Sequence, residues 1–449
     1  MTKSMTEGRP FQLMLQFALP LLVGNLLQQT YNIIDAAIVG RVLGTEALAS
    51  VGASSSVQFL VLGFCMGMCS GFGIPVSQRF GARDYEGMRN YIFHALFLTG
   101  ITAVILTCVC SILCPQILRI LSTPDNIYEG AYQYLLILFL GIPFTLLYNL
   151  LSGILRSVGD SRTPFFFLAF STVLNVGLDL FCILVLKWGV AGAAAATITA
   201  QAVSGIMCLV FIVKRVELLH LSSKNCHVKS GAVGTMLVMG LPMGLQFSIT
   251  AIGSMVMQSA NNGLGSVYVS GFTAAMRIKQ FVMCPFDAIA NAVSVFCGQN
   301  LGAGRADRIR KGIWEGLGIS IFYGICAGLV LIFGGRTLSQ LFVSGSAAEV
   351  LDAAAKYLRC LGFFFWCLAI LNVCRLSTQG LGYSGRAVFS GVMEMFARII
   401  VSVVFVKSYG FTAICFADQT AWVAACCYIV PTCFWCVRKV SGKISAADV

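Results

Sequence analysis

The chain has 449 residues, of which 58% are hydrophobic and 11% charged, and its formal net charge is +12. Soluble globular chains carry about 25% charged residues, so this composition excludes a water-soluble fold. The basic excess does not mark a nucleic-acid binder either, because Lys and Arg stand between apolar runs rather than on polar or aromatic-rich segments.

Residues 1–10 are polar and lead into an apolar run too long for the core of a cleavable signal, so none is expected. Twelve runs follow, each near the roughly 20 residues that cross a bilayer. In the first half they cover residues 13–38, 52–76, 91–114, 130–154, 164–187 and 189–213. In the second half they cover residues 234–260, 268–297, 314–335, 355–378, 387–407 and 411–437. The longest polar connection, residues 214–230, carries Lys214, Arg215, Lys224 and Lys229 and reads as a linker between two halves. The expected fold is therefore an all-α membrane protein of twelve transmembrane helices in two pseudo-symmetric six-helix lobes, residues 1–220 and 221–449.

Charge sets the orientation. With the N-terminus inside, most of the 30 Lys and Arg fall in inner segments, among them Arg79, Arg83, Arg89, Arg308 and Arg438. Outer segments hold few, such as Arg41, Arg119 and Arg336. Positive residues favour the cytoplasmic side, so both termini are expected there, in a multi-pass protein of the inner cell membrane.

The halves repeat. Gln78, Gly81 and Ala82, after the second run, recur as Gln299, Gly302 and Ala303 after the eighth, at an offset of 221. Pro20 and Pro242 are 222 apart, and Gly159 and Gly382 are 223 apart. Six spans return the chain to its starting side, so the repeats are parallel, an arrangement in which transporters place substrate between the repeats.

Charge inside a membrane is expensive and marks function. Asp35 lies in the first run and Asp179 in the fifth, four residues after Asn175 and so on the same helix face. Ala193 and Thr197 share a face of the sixth run by the same spacing. Counted from the outer turns at 1.5 Å per residue, Asp35, Asp179 and Thr197 all sit roughly 7–12 Å deep. Two carboxylates, an amide and a hydroxyl at one level suit a hard cation such as Na+ or a shared proton. Scattered hydrogen-bonded polar residues are the plainer alternative. Pro20, 15 residues before Asp35, removes one helix hydrogen bond and permits a bend, although membrane helices also tolerate proline for packing alone.

A second polar set comprises Asp287, Glu394, Arg398 and Asp418, with Arg277 and Lys279 nearby in the eighth run. Glu394 and Arg398 are four apart and can pair directly, in a structural or a substrate role. Asp287 is expected to pair with Lys279, two turns away. Gly63, Gly67 and Gly71 allow close helix packing. Gly380-Leu381-Gly382-Tyr383-Ser384-Gly385 follows no strand and is no nucleotide site. The 19 Cys lie mostly inside apolar runs as packing residues. Cys433 and Cys436 lack a second pair, and three His make a His-based metal site improbable. No P-loop occurs, so energy must come from an ion gradient or a separate ATPase subunit.

With these landmarks the chain resembles the multidrug and toxic compound extrusion (MATE) family, bacterial type, over nearly its whole length. The resemblance rests on twelve spans, two parallel lobes, the repeated Gln-x-x-Gly-Ala turn and the set Asp35, Asn175, Asp179, Ala193 and Thr197. It implies a secondary-active antiporter, not an enzyme, that exports cationic or amphipathic organic compounds in exchange for Na+ or H+. It also implies that Asp35 and Asp179 bind the coupling ion, that Asn175, Thr197 and the main-chain carbonyl at Ala193 complete its shell, and that the first span bends at Pro20. Some members carry coupling acids on spans seven and ten, where this chain has none. No cofactor beyond the coupling ion, no nucleic acid and a monomer are expected, with organic solutes and the bilayer as partners. A lipid-linked oligosaccharide flippase of the same superfamily is the alternative, less favoured because such chains often have about fourteen spans and cationic cavities.

Overall fold

The computed structural model describes residues 3–121, 123–222, 226–343 and 347–447. Lys224 of the expected linker lies outside them. Among the described residues the chain is helical throughout, with no strand.

The helices, numbered in chain order, begin with α1 (Pro10–Leu43), α2 (Thr45–Gly81) and α3 (Tyr85–Ile120). Next come α4 (Asp125–Leu140), α5 (Ile142–Ser157), α6 (Arg162–Val185) and α7 (Gly189–Arg215). The second half holds α8 (Ser230–Asn262), α9 (Ser266–Gly302), α10 (Ala306–Ser339), α11 (Ala348–Gly380), α12 (Ser384–Tyr409) and α13 (Phe411–Ala447). Eleven of these are long and apolar enough to span a membrane, and α4 with α5 forms a twelfth span bent by 47°. Many helices outrun the apolar runs by several residues at each end, because polar turns continue the hydrogen-bond ladder beyond the hydrocarbon.

The bend in the fourth span differs from the single run over residues 130–154 expected from hydropathy. Pro143 stands in the first turn of α5 and has no N–H to give to the preceding turn. The chain closes the gap instead with a tight Phe144 N–H bond to Gly141 O of 3.0 Å.

The repeat persists in backbone geometry. Left-handed turns recur at Gly44 and Gly265 (φ 93° and 109°), at Arg83 and Gly304 (57° and 68°) and at Gly159 and Gly382 (85° and 88°). The Gln-x-x-Gly-Ala segments end α2 and α9 identically: the Ala82 and Ala303 amides cap Gln78 O and Gln299 O, both at 3.0 Å.

The chain forms two compact units. One is Met1–Ser4 with Val23–Gly244, and the other is Met5–Leu22 with Leu245–Val449. A cut at residues 220 and 221 divides the sequence; packing divides α1 after Leu22 and α8 after Gly244. In the first unit, Met68, Phe72, Phe139, Leu146 and Leu150 are buried in one apolar core. Gly71 approaches α8 so closely that a Cβ would meet the Gly240 backbone at 2.6 Å, which gives one of the three spaced glycines its packing role. His94, fully buried on α3, bonds Asn90 O (2.7 Å) and accepts the Lys229 N–H (2.9 Å), tying the start of α8 to α3.

The second unit has its own core around Phe286, Phe296, Phe365 and Trp422. Residues 5–22 join it through polar bonds: the Met5 amide donates to Gln299 Oε1 (2.8 Å), and Arg308 Nη2 donates to Met5 O (3.1 Å). Large apolar side chains such as Phe333 and Ile120 are more than four-fifths exposed, a surface that lipid rather than water would cover.

Candidate functional site

The site in the first unit is built by α1, α4, α6 and α7. Asp35 is buried on α1, and Asn175 and Asp179 are buried one turn apart on α6. The Asp35 and Asp179 carboxyl groups face each other within hydrogen-bonding reach. With its amide nitrogen toward Asp179, Asn175 donates to Oδ2 at 3.1 Å and its oxygen accepts the Thr197 N–H at 3.1 Å. Thr197 Oγ1 meets the Tyr31 hydroxyl at 3.0 Å. Ala193, one turn before Thr197 on α7, is buried in a small apolar cluster with Val39, Tyr134 and Ile183.

Tyr31 and Tyr134 were not singled out from sequence. Tyr31 lies one turn before Asp35, a signal that spacing carried. Tyr134, on α4, is buried beside both carboxylates with no local polar partner in sequence to reveal it. Among the described residues no Lys or Arg forms a salt bridge with Asp35 or Asp179, and one oxygen of each, Asp35 Oδ1 and Asp179 Oδ1, is buried without a hydrogen-bond partner. Two facing carboxylates repel when both are ionised, so a proton or a cation between them relieves the repulsion. Among the described residues no group of three or more His, Cys, Asp or Glu is gathered as for a transition metal. Carboxylate, amide and hydroxyl oxygens suit a hard monovalent cation or a proton.

Backbone irregularity marks the same place. The last five residues of α1, Val39–Leu43, and of α6, Phe181–Val185, are π-helical and begin four and two residues after the two carboxylates. A third π turn, Val401–Phe405 in α12, lies 220 residues after the second and starts three residues past Arg398. Such insertions free carbonyls from the ladder and gather at functional sites. Pro20 lies inside continuous helix.

The second polar set resolves into a buried chain of alternating charge across four helices. Lys279 of α9 bonds Asp418 of α13 at 2.5 Å, and Tyr357 of α11 donates to the same oxygen at 2.5 Å. Arg398 of α12 bridges Asp418 (2.9 Å) and Glu394 (3.2 Å), and Arg375 of α11 also pairs with Glu394. The expected pairing of Glu394 with Arg398 is present. The expected pairing of Asp287 with Lys279 is not: eight residues span about 12 Å along a helix, too far for contact, while Asp418 reaches Lys279 from a facing helix. Asp287 is exposed on α9 and, among the described residues, makes none of these salt bridges, with Arg375 the charge of the chain that acts on it. Lys279, Arg375 and Tyr357 take the places that sequence could not assign, since their partners lie up to 139 residues away.

A polytopic helical fold with a buried acidic pair in its first unit defines a membrane transporter. The chain matches the MatE family over residues 20–181 and 242–434, one stretch in each half, and it belongs to that family. It is 33% identical over 361 residues, 80% of each chain, to the probable multidrug resistance protein YpnP of Bacillus subtilis. It is 28% identical to the probable multidrug resistance protein YoeA of the same organism, covering 91% of this chain and 89% of that one. A solved structure described as the outward-facing conformation of a multidrug resistance MATE family transporter of the MOP superfamily superposes with a TM-score of 0.90 at 23% identity, covering 98% and 97% of the two chains. The chain is thus a multi-pass membrane transporter of the MATE family and not an enzyme.

Proposed function

We propose that the chain is an antiporter of the inner cell membrane, with both termini cytoplasmic, that exports cationic or amphipathic organic compounds in exchange for Na+ or H+. The observation that carries this reading is the buried Asp35–Asp179 pair with one unpartnered oxygen on each carboxylate. Export of organic compounds is supported by the multidrug resistance names of the relatives. The coupling ion binds between the two carboxylates, and Asn175, Thr197, Tyr31 and the backbone near Ala193 hold the geometry around it. Binding neutralises charge on α1 and α6 beside their π turns. An ion that binds two conformations unequally shifts their balance by that difference, and this is all that coupling requires.

The test is flux of an organic cation in proteoliposomes, with Na+ and pH gradients imposed separately. One of the two gradients should drive export. Asp35→Asn and Asp179→Asn should each abolish gradient-driven export while the protein stays folded; parental rates in both variants would move the coupling site elsewhere.

A further inference from the structure

Six of the 19 cysteines form three pairs along one seam, and the transport reading uses none of them. Cys360, Cys367 and Cys374 stand seven residues apart on α11, which presents them on one face at two-turn intervals. Each meets a cysteine of α13. Cys367 Sγ lies 3.5 Å from Cys426 Sγ, and the Cys426 thiol also approaches Cys367 O at 3.4 Å. Cys360 lies beside Cys415, and Cys374 beside Cys433, close enough for each pair of thiols to interact. The two helices run in the same direction, so the pairs stack as rungs. Packing alone asks for small polarisable residues. It does not ask that thiol meet thiol three times in succession.

We propose that Cys367 and Cys426 are a disulfide-forming site that staples α11 to α13. Helices packed this closely already hold the two sulfurs in line, so bond formation needs side-chain rotation and only a small approach toward the roughly 2.05 Å of an S–S bond. Cys426 is only half-buried, which gives a reagent dissolved in the bilayer one thiol to attack. The oxidant is a small apolar disulfide. The Cys426 sulfur attacks it, its S–S bond breaks, and one small thiol leaves with a proton. The Cys367 sulfur then displaces the second small thiol, which also takes a proton. Two S–H bonds and one S–S bond are exchanged for one protein S–S bond and two small thiols.

The staple falls within the buried charge chain. Tyr357 and Arg375 project from α11 on either side of Cys367, and Asp418 precedes Cys426 on α13 by two turns. Fixing the two helices fixes the spacing on which the Tyr357–Asp418 bond depends. Transport that needs this unit to rearrange then stops until the disulfide is reduced. This consequence rests on the proposed antiport, whereas the covalent bond does not.

The experiment treats the purified full chain in proteoliposomes with 2,2′-dithiodipyridine, followed by proteolysis and mass spectrometry without reductant. The expected product is a cross-linked peptide pair containing Cys367 and Cys426, absent from Cys367→Ala and Cys426→Ala. Flux should fall severalfold on oxidation, recover with dithiothreitol, and stay constant in either variant. If the exposed Cys108 and Cys427 react while no 367–426 peptide forms, the site is refuted. A cross-link that leaves parental flux unchanged refutes the control it exerts and leaves the bond. If a variant fails to fold, the parental cross-link map still decides the bond, and reversal by dithiothreitol still decides the control.

Discussion

At the scale of single residues, the deciding feature is which polar groups have partners. Asp35, Asn175, Asp179 and Thr197 were legible because acids are rare in apolar runs and helix spacing assigns faces and depths. Tyr31 and Tyr134 were not, because a tyrosine in an apolar run looks like packing until its hydroxyl is seen. Tyr31 bonds Thr197, and a lost hydrogen bond of this kind is worth about 0.5–1.5 kcal/mol. Tyr31→Phe should therefore weaken ion affinity by up to about tenfold, measurable as the ion concentration for half-maximal flux. Asp160, in the turn before α6, is a purely structural counterpart. It accepts the Arg162 and Thr163 amides at 3.1 and 3.0 Å and the Thr163 hydroxyl at 2.7 Å. Burial alone would raise its pKa, but hydrogen bonds, those from Thr163 foremost, and a neighbouring positive charge together outweigh burial and hold it below the ordinary carboxylate value. A depressed carboxylate stabilises the fold above its unfolded pKa, about 3.9, and that contribution is lost as pH falls through the lower folded value. Asp160→Ala should cost about 1 kcal/mol near neutral pH, seen as a lower unfolding temperature in detergent, and the deficit should shrink below about pH 4.

At the scale of elements, hydropathy found every span but not how the spans are joined or broken. Apolar composition reports that a segment lies in lipid; it does not report a missing N–H at Pro143, so the fourth span read as one helix. The alternating charges of α9, α11, α12 and α13 were similarly half-legible. Glu394 and Arg398 are neighbours on one helix and could be paired from sequence, whereas Lys279, Arg375 and Asp418 find partners across helices, which spacing along one chain cannot reveal. Lys279 also lies 5.7 Å from the Trp422 ring, so α9 and α13 are joined twice. Removing one member of a buried ion pair leaves the other charge uncompensated at about 3–5 kcal/mol. Asp418→Asn strands Lys279 and leaves Arg398 with Glu394 alone, and should lower the unfolding temperature sharply, whereas Asp287→Asn, which breaks none of these salt bridges, should change it little. Equal losses in the two variants would show that the chain does not hold these helices together.

At the scale of the whole molecule, the duplication was legible from three landmarks near one offset, and the recurring left-handed turns carry the same repeat into the backbone. What the landmarks could not give was the allocation of helices to compact units. α1 is shared after Leu22 and α8 after Gly244, each two residues past a helix-interior proline, Pro20 and Pro242. A continuous helix with one part in each unit must bend or slide if the units move, and a proline that has already forfeited one ladder hydrogen bond lowers the cost of bending there. Replacing Pro20 by Ala restores that bond and stiffens α1 at the division while leaving the Asp35 carboxylate, 15 residues on, in place. Pro20→Ala should therefore slow flux severalfold with ion affinity nearly unchanged. Pro242→Ala should do the same through α8, which carries no acid of the ion site. Equilibrium Na+ or proton binding measured beside flux separates the two effects. If Pro20→Ala lost affinity in proportion to flux, the proline would be shaping the ion site rather than bending the helix.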